Sequence, residues 1–475
     1  VIFPSQMNFA IAQALVPAAE GYTTVDVGIE ADKIASIGSQ GPPPTATQTT
    51  NAQNQLLLPG FVNAHTHSSE IWQRGTIPPY PLELWIAELH EFSPPDPEQI
   101  YLGALATAVE TLLSGGTTVV DHLVLIPGKE IETVEAAVRA YQEIGIRAFV
   151  GPLIQDQSLE TGMPSGDSPT TSGDYYTSTE EILAMMGQVV ERFHQPEAGL
   201  HVMVAPTGGQ LCSDALFAGC MELSDRFDLC RHAHLLETKA QKMLAWEKYG
   251  CSAVEHLQRL GYLSERTSLA HCIWLDESDR QILADHRCTV VHNPLSNLRL
   301  GSGIAPILHY RQLGVNVAFG CDGAASNDAQ DLLEAIKVGS LLHNTTDFDY
   351  RNWIHPREAV EMAALGGAKG LNLAGELGTL ETGKQADLVL YDLTNLSLLP
   401  RTDPIGLLVM GRPSQAVNAA WVNGRQIVAN GQVTTIDVDT LRQELFARSQ
   451  WQVNRQSENV RQLEAPYRRV MGLSE

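Results

Sequence analysis

The sequence predicts an α/β protein built as a (β/α)8 barrel of the TIM type, with a small β-sandwich domain assembled from both chain ends. Three observations predict it. Eight short apolar runs between residues 59 and 322 alternate with amphipathic helical stretches, the pattern of a parallel sheet. Most of these runs are rich in Val, Ala or Leu with little alternation, as strands covered on both faces demand. Strand-like segments also stand near both termini. A doubly wound open sheet is the competing architecture, disfavoured because no Gly-x-Gly-x-x-Gly follows an early strand.

Taken in order, residues 24–37 read as a hairpin that turns between Glu30 and Lys33, and the polar, Pro-rich residues 41–54 read as a loop. The eight runs lie near 61–65, 117–122, 147–153, 200–206, 229–235, 267–272, 288–293 and 315–321. Between them, residues 98–114 keep apolar side chains at helical spacing and Gly115-Gly116 offers a stop. Thr179 can cap a helix from Glu180 to Phe193, and Ser213 one that starts at Asp214. Residues 385–393 and 417–433 are strand-like, with turn signals at Asn423-Gly424 and Asn430-Gly431. Residues 438–470 read as terminal helix packed on the outside. The expected division is a small β domain from 1–58 plus 376–437, a barrel at 59–375, and a helical segment at 438–475.

Composition narrows the function. The chain carries 31 basic and 55 acidic residues, a net charge of −24 over 475 residues. Such a surface repels phosphate backbones and anionic lipid, so neither nucleic acid nor membrane is an expected partner. Seven cysteines with no Cys-x-x-Cys pair argue against a disulfide framework and for a reducing cytosol. No basic-then-apolar leader and no run of 18 apolar residues is present, so a cytoplasmic location is expected.

The strongest chemical signal is His65-Thr66-His67 at the end of the first barrel strand. Side chains two apart on a strand share a face, and at the C-terminal mouth of a barrel that face looks into the cavity. Alone, a His-x-His pair occurs in many chains by chance. Here the fifth run carries His232-Ala233-His234 followed by Glu237, the sixth ends in His271, and the eighth leads into Asp322. Core packing does not explain imidazoles and a carboxylate at four strand ends. A catalytic divalent metal needs three or four nitrogen or oxygen ligands and an open position. His65, His67, His234 and Asp322 supply such a set, leaving Glu237 and His271 for proton handling. His232 shares a face with His234 and competes as a ligand. His194, His286, His309 and His343 fall on helices or loops and read as surface or helix-end residues.

Longer stretches carry a family resemblance. They are Pro59 to His67, His234 to Thr238, Ala270-His271-Cys272, His292 to Gly301 with Gly303 to Pro306, Gly320 to Asn327, and Gly378 to Leu390. The chain resembles the amidohydrolase superfamily, in the metal-dependent branch of S-adenosylhomocysteine/methylthioadenosine deaminases, guanine and cytosine deaminases and triazine hydrolases. The resemblance implies one Zn2+ per chain, Fe2+ in some members, on His65, His67, His234 and Asp322. It implies that Asp322 takes a proton from the attacking water, that His271 orients it, and that Glu237 protonates a ring nitrogen and then the leaving amine. The implied activity is hydrolytic deamination of an amino-substituted heterocycle with release of ammonia. The alternative is hydrolysis of a ring amide, an imidazolone or a C–Cl bond at the same site. A non-catalytic binding barrel is disfavoured because no member of the constellation is missing. Homo-oligomers are common in the family.

Departures from the pattern bear on the substrate. The His that nucleoside deaminases of this branch carry after the Pro ending strand four is Thr207 here. Trp85 matches their first-loop Trp, but Pro94 stands where a ribose-binding Glu is expected, with Glu88 and Glu91 as substitutes only if the loop shifts. Glu70 stands where a neutral residue is usual. It is read as a carboxylate at the cavity mouth favouring a compact or cationic substrate, or else as a solvent-exposed partner of Arg74 four residues on. Cys321, before Asp322, reads as a small buried residue.

Overall fold

The computed structural model describes residues 8–38, 46–163, 177–451 and 457–473. Parts of the expected small β domain (1–7, 39–45) and of the expected C-terminal segment (452–456, 474–475) lie outside the described residues. The protein is α/β.

Five strands open the chain: β1 (Phe9–Pro17), β2 (Tyr22–Glu30), β3 (Lys33–Gly38), β4 (Gln48–Asn51) and β5 (Gln55–Pro59). β2 and β3 form the expected hairpin, with Glu30 opposite Lys33. The polar stretch read as loop is partly strand: β4 pairs in parallel with β1, Phe9 facing Gln48. Its Thr-rich backbone completes an edge, where burial is low and a polar sequence suffices.

Nine parallel strands follow: β6 (Phe61–Thr66), β7 (Gly116–Val124), β8 (Arg147–Ile154), β9 (Leu200–Val202), β10 (Ala205–Pro206), β11 (Arg231–Leu235), β12 (Thr267–His271), β13 (Thr289–His292) and β14 (Asn316–Phe319). They coincide with the eight apolar runs, the fourth split into β9 and β10 around Met203-Val204. β6 to β10 make one parallel sheet and β11 to β14 another. Backbone hydrogen bonds join the two at both edges. Val204 bridges Arg231 in parallel, the His234 N–H donates to the Thr207 carbonyl at 3.0 Å, and the Asp322 N–H donates to the His65 carbonyl at 2.9 Å. All nine strands therefore present their C-terminal ends to one side.

Helices cover the outer faces. Pro97–Leu113 starts at Asp96, which with Gln99 closes a reciprocal cap, and stops before Gly115. Ser213 caps its helix as expected. The cap of the helix Thr179–Phe193 is Ser178 rather than Thr179, because Glu181 lies three residues beyond Ser178 and returns its hydrogen bond; Thr179 instead donates to Asp156.

The chain closes with β15 (Leu388–Asp392), β16 (Val417–Val422), β17 (Arg425–Ala429) and β18 (Gln432–Val433). These join β1 to β5 in one nine-stranded sheet of order β18-β17-β16-β15-β5-β1-β2-β3, with β4 beside β1. Asn423-Gly424 and Asn430-Gly431 make the tight turns, all four residues at positive φ. Phe9 of β1 stacks on Trp421 of β16 at 5.8 Å. Strands three apart in the sheet order thus share one core, which includes Ile11, Leu57 and Leu388. The terminal helix differs from expectation. It is two helices, Val438–Arg448 and Glu458–Val470, and the second lies on the helix Leu82–Leu89, Val460 packing on Leu84 and Ala87. Among the described residues no helix is long and apolar enough to cross a membrane. All seven cysteines are buried and unpaired.

Candidate active site

Strand alternation brings the first pair together: His65 on β6 and His67 just past its end point to the same side, ring centroids 4.8 Å apart. His234 on β11 brings Nε2 to 3.3 Å from His67 Nε2. Asp322 follows β14, its Oδ1 3.4 Å from His65 Nε2 and 3.5 Å from His67 Nε2. Asp322 and His271 have φ of +66° and +72°, so both strands end in backbone that non-glycine residues seldom adopt. Such strain persists where surrounding structure enforces it, commonly at functional sites.

The cluster fits a divalent ion. The His67 Nδ1–H donates to the His122 carbonyl at 2.6 Å and the His234 Nδ1–H to the Thr207 carbonyl at 2.7 Å, which turns both Nε2 lone pairs inward. Nε2 of His65 is buried and makes no hydrogen bond. Ligands about 2.05 Å from a tetrahedral zinc stand about 3.3 Å from each other, and the His67–His234, His65–Asp322 and His67–Asp322 separations are 3.3–3.5 Å. Burial holds His65 down at about 4 and His234 well below the usual histidine range, so both stay neutral. Burial would raise Asp322, but His65, His271 and His67 around it hold it well below the usual carboxylate range. Burial would lower His67, but Glu70, Asp322 and the hydrogen bond to the His122 carbonyl raise it above the usual histidine range. The set is three imidazoles, two of them held neutral by burial, and one carboxylate.

Beside it stand the proton-handling candidates. His271 Nδ1 is 2.8 Å from Asn297 Oδ1, so its Nε2 faces inward, 3.6 Å from Glu237 Oε2 and 3.8 Å from Asp322 Oδ2. Glu237 accepts from Ser302 Oγ at 3.0 Å. Burial first, and Asp322 next among the raising influences, push its carboxyl up to about 7, against the opposing pull of His271 and Ser302. Asn297 and Ser302 were not singled out in the sequence. Both belong to the polar segment after β13, where spacing does not reveal which side chain turns inward.

Two further imidazoles lie within the cluster. His122, the last residue of the TTVVDH run, stacks on His234 at 4.8 Å and puts Nε2 2.9 Å from the Ala205 carbonyl. His232 has both nitrogens engaged, Nε2 with His65 Nδ1 at 2.8 Å and Nδ1 with Ser268 Oγ at 2.7 Å, and it also forms with His65 and His122 a second group whose ring nitrogens lie within 4.8 Å of one another. His343 takes the helix-end place expected of it, though not at the surface. It is buried at a helix end, 3.4 Å from His292.

The cluster opens into a cavity of about 1130 Å³. Glu70 lines its floor, buried, and desolvation pushes its carboxyl up to about 7 against the pull of His67. It is neither solvent-exposed nor paired with Arg74, whose guanidinium instead forms a two-pronged pair with Glu110. Gly323 makes the room: a Cβ there would fall inside the Glu70 carboxylate. Trp85 also lines the cavity, its indole N–H donating to the Ala325 carbonyl at 3.2 Å. Thr207 lines it with its hydroxyl turned to the Ile154 carbonyl at 3.1 Å, and Pro94 stands in the wall. Glu88 and Glu91 do not substitute for a pocket carboxylate, because they bind Ser457 N–H and the Asn459 amide of the terminal helix. That helix contributes Leu463, Pro466 and Arg469 to the rim. Glu83, missed in the sequence, also lines the cavity and accepts from Thr238 at 2.6 Å. Its position on the amphipathic helix Leu82–Leu89 gave no signal.

The chain is similar to known proteins over most of its length. Residues 56–427 match the amidohydrolase family. A 5-methylthioadenosine/S-adenosylhomocysteine deaminase of Syntrophobacter fumaroxidans is 32% identical over 398 residues, covering 83% of this chain and 85% of the relative. One from Caldanaerobacter subterraneus subsp. tengcongensis is 30% identical over 432 residues, covering 90% and 93%. Among solved structures, an adenosine deaminase from Xanthomonas campestris with bound zinc superposes with a TM-score of 0.82 at 25% identity, over 94% of this chain and 98% of that one. An atrazine chlorohydrolase from Arthrobacter aurescens TC1 complexed with zinc gives 0.84 at 24% identity, over 92% and 99%.

Proposed function

Because the chain belongs to the amidohydrolase family, we propose that it is a metal-dependent aminohydrolase that deaminates an amino-substituted heterocycle and releases ammonia. Its relatives named as deaminases support the reaction. The observation that carries it is local: three inward imidazole nitrogens and one carboxylate converge beside a buried glutamate poised near neutrality.

His65, His67, His234 and Asp322 would hold the ion, Zn2+ by preference for this nitrogen-rich set, or Fe2+. Bound there, it supplies a water whose pKa falls from 15.7 toward about 7. Asp322 accepts the proton from the attacking water. His271, held by Asn297, keeps Nε2 between Glu237 and Asp322 and orients the attack. Glu237 donates its proton to the ring nitrogen next to the attacked carbon, takes the proton of the newly added hydroxyl as the carbonyl forms, and delivers it to the leaving amine; the proton held by Asp322 then restores Glu237. A carboxyl near 7 performs these transfers at neutral pH without a large energetic mismatch.

For the pocket, we read Thr207 and Pro94 as the loss of two sugar contacts and Glu70 as a carboxylate facing a compact or cationic ring, with Trp85 as a wall. For the scaffold, we read the parallel strands as one barrel at 59–375. The curled terminal sheet is read as a β-sandwich domain from 1–58 plus 376–437, with 438–475 as a helical segment. The edge hydrogen bonds between the parallel sheets and the Phe9–Trp421 stack support these readings. The test of function is a screen of aminated heterocycles with zinc-loaded protein, following ammonia and substrate together. Substrate loss with chloride or an alkylamine released, and no ammonia, overturns deamination.

A further inference from the structure

Of the three converging imidazoles, His65 alone meets a side chain with its rear nitrogen. His67 and His234 each donate Nδ1–H to a backbone carbonyl. The partner of His65 Nδ1 is Nε2 of His232, 2.8 Å away. A backbone carbonyl can only accept, but an imidazole nitrogen can take either role, so the direction of this bond must be set elsewhere. His65 can present a lone pair at Nε2 only if its hydrogen is on Nδ1. His232 must then accept at Nε2 and carry its own hydrogen on Nδ1. That hydrogen has an acceptor in Ser268 Oγ at 2.7 Å, and the Ser268 hydroxyl lies 3.4 Å from the Arg231 carbonyl, where the series ends. The three side chains are all buried, so water does not replace any of these partners. Ser268 is held directly opposite His232 by the β11–β12 register, and Tyr262 OH fixes the His232 backbone by donating to its carbonyl at 3.2 Å.

We propose that His232 is a positioning residue for the metal centre. It accepts the Nδ1–H of His65, locking that ring's tautomer and plane, and Ser268 locks His232 in turn. This rests on the reading of His65 as a metal ligand and adds the group that makes His65 competent. Without the acceptor, the buried His65 N–H is unpaired, and the tautomer with hydrogen on Nε2, useless to a cation, gains ground.

The experiment measures zinc affinity by chelator competition in the full chain, for wild type, His232→Gln, His232→Leu and Ser268→Ala, with the unfolding temperature of each metal-free protein. Glutamine can place its Oε1 near the position of Nε2 and restore an acceptor, whereas leucine fills the space without one. His232→Leu is expected to weaken zinc about 10- to 100-fold and His232→Gln by no more than about threefold. Ser268→Ala, which keeps the ring but removes its anchor, should lie between, and carries the test if His232→Leu does not fold. A mere packing role would order the variants by unfolding temperature rather than by the presence of an acceptor. The role is overturned if leucine binds zinc as tightly as wild type or if glutamine is as weak as leucine. Absent zinc binding in the wild type overturns the ligand set itself and this role with it, while variants equal to wild type overturn the role alone.

Discussion

Replacing Glu237 by glutamine separates what this carboxyl does for the reaction from what it costs the fold. Burial is the leading cause that raises it from 4.5 to about 7. A folded-state value above the unfolded one means that the folded chain keeps a proton which the unfolded chain releases. The associated stability is fully present below about pH 4.5 and is lost as pH rises through about 7. The gap between 4.5 and about 7, at about 1.36 kcal/mol per pH unit, corresponds to roughly 3 kcal/mol. Glutamine keeps the size and the Ser302 contact but cannot ionise, so metal-free Glu237→Gln is expected to exceed wild type by that amount at pH 8 and to match it near pH 4.5. With an unfolding entropy of about 2 cal/mol/K per residue, the difference corresponds to about 3 °C in Tm for a chain of 475 residues. Calorimetry of the metal-free proteins at both pH values reads it. In the zinc-loaded protein, ammonia release should fall by about 10²–10⁴. A Tm difference independent of pH, or a variant near the wild-type rate, refutes the assignment of a buried, proton-carrying Glu237.

Elemental analysis of active protein should find one divalent metal per chain, and exhaustive chelation should abolish turnover until Zn2+ is restored; less than about a tenth of an equivalent in active protein contradicts the ligand set. Methylthioadenosine and S-adenosylhomocysteine should be turned over far more slowly than a sugar-free aminated heterocycle, since two contacts worth about 1.5–3 kcal/mol each are absent; kcat/KM above about 10⁵ M⁻¹s⁻¹ for either nucleoside ends that reading. Gly323→Ala should drive the Glu70 carboxylate from the cavity floor and cost about 10²-fold in kcat/KM while zinc content stays at one, checked by steady-state kinetics beside metal analysis. Unchanged kinetics would show that Glu70 does not touch the substrate.

What was legible in the sequence follows from period and position. The parallel strands were visible because each is a short apolar run, and His65, His67, His234 and Asp322 converge because alternate residues at strand ends face one cavity. The β4 edge was hidden because a solvated edge strand needs no apolar residues. The Ser178 cap was missed by one position because Thr179 is an equally good cap residue and only the Glu181 spacing separates them. Glu70 illustrates a different limit. Its helical spacing to Arg74 suggested a surface pair, but the segment is a tight 3-10 turn and Arg74 finds Glu110 across the loop. His122 carried a signal, an imidazole at the end of an apolar strand, but no neighbouring histidine in the sequence drew attention to it. The docking of the terminal helix across the cavity rim had no local signature, since Ser457, Glu88 and Val460 become neighbours only after the chain has closed.

The sheet shared by the two ends of the chain has a consequence for biosynthesis. Leu56 of β5 faces Tyr391 of β15, a separation of 335 residues. At about 5–20 residues per second, a ribosome takes roughly 17 to 67 s to deliver the second strand after the first. Throughout that interval the nascent Leu56-Leu57-Leu58 edge has no partner on one side, and an unpaired apolar edge is a template for pairing with other chains. The half-made polypeptide is thus most vulnerable at its oldest end, and that end is sealed only when the last strands emerge.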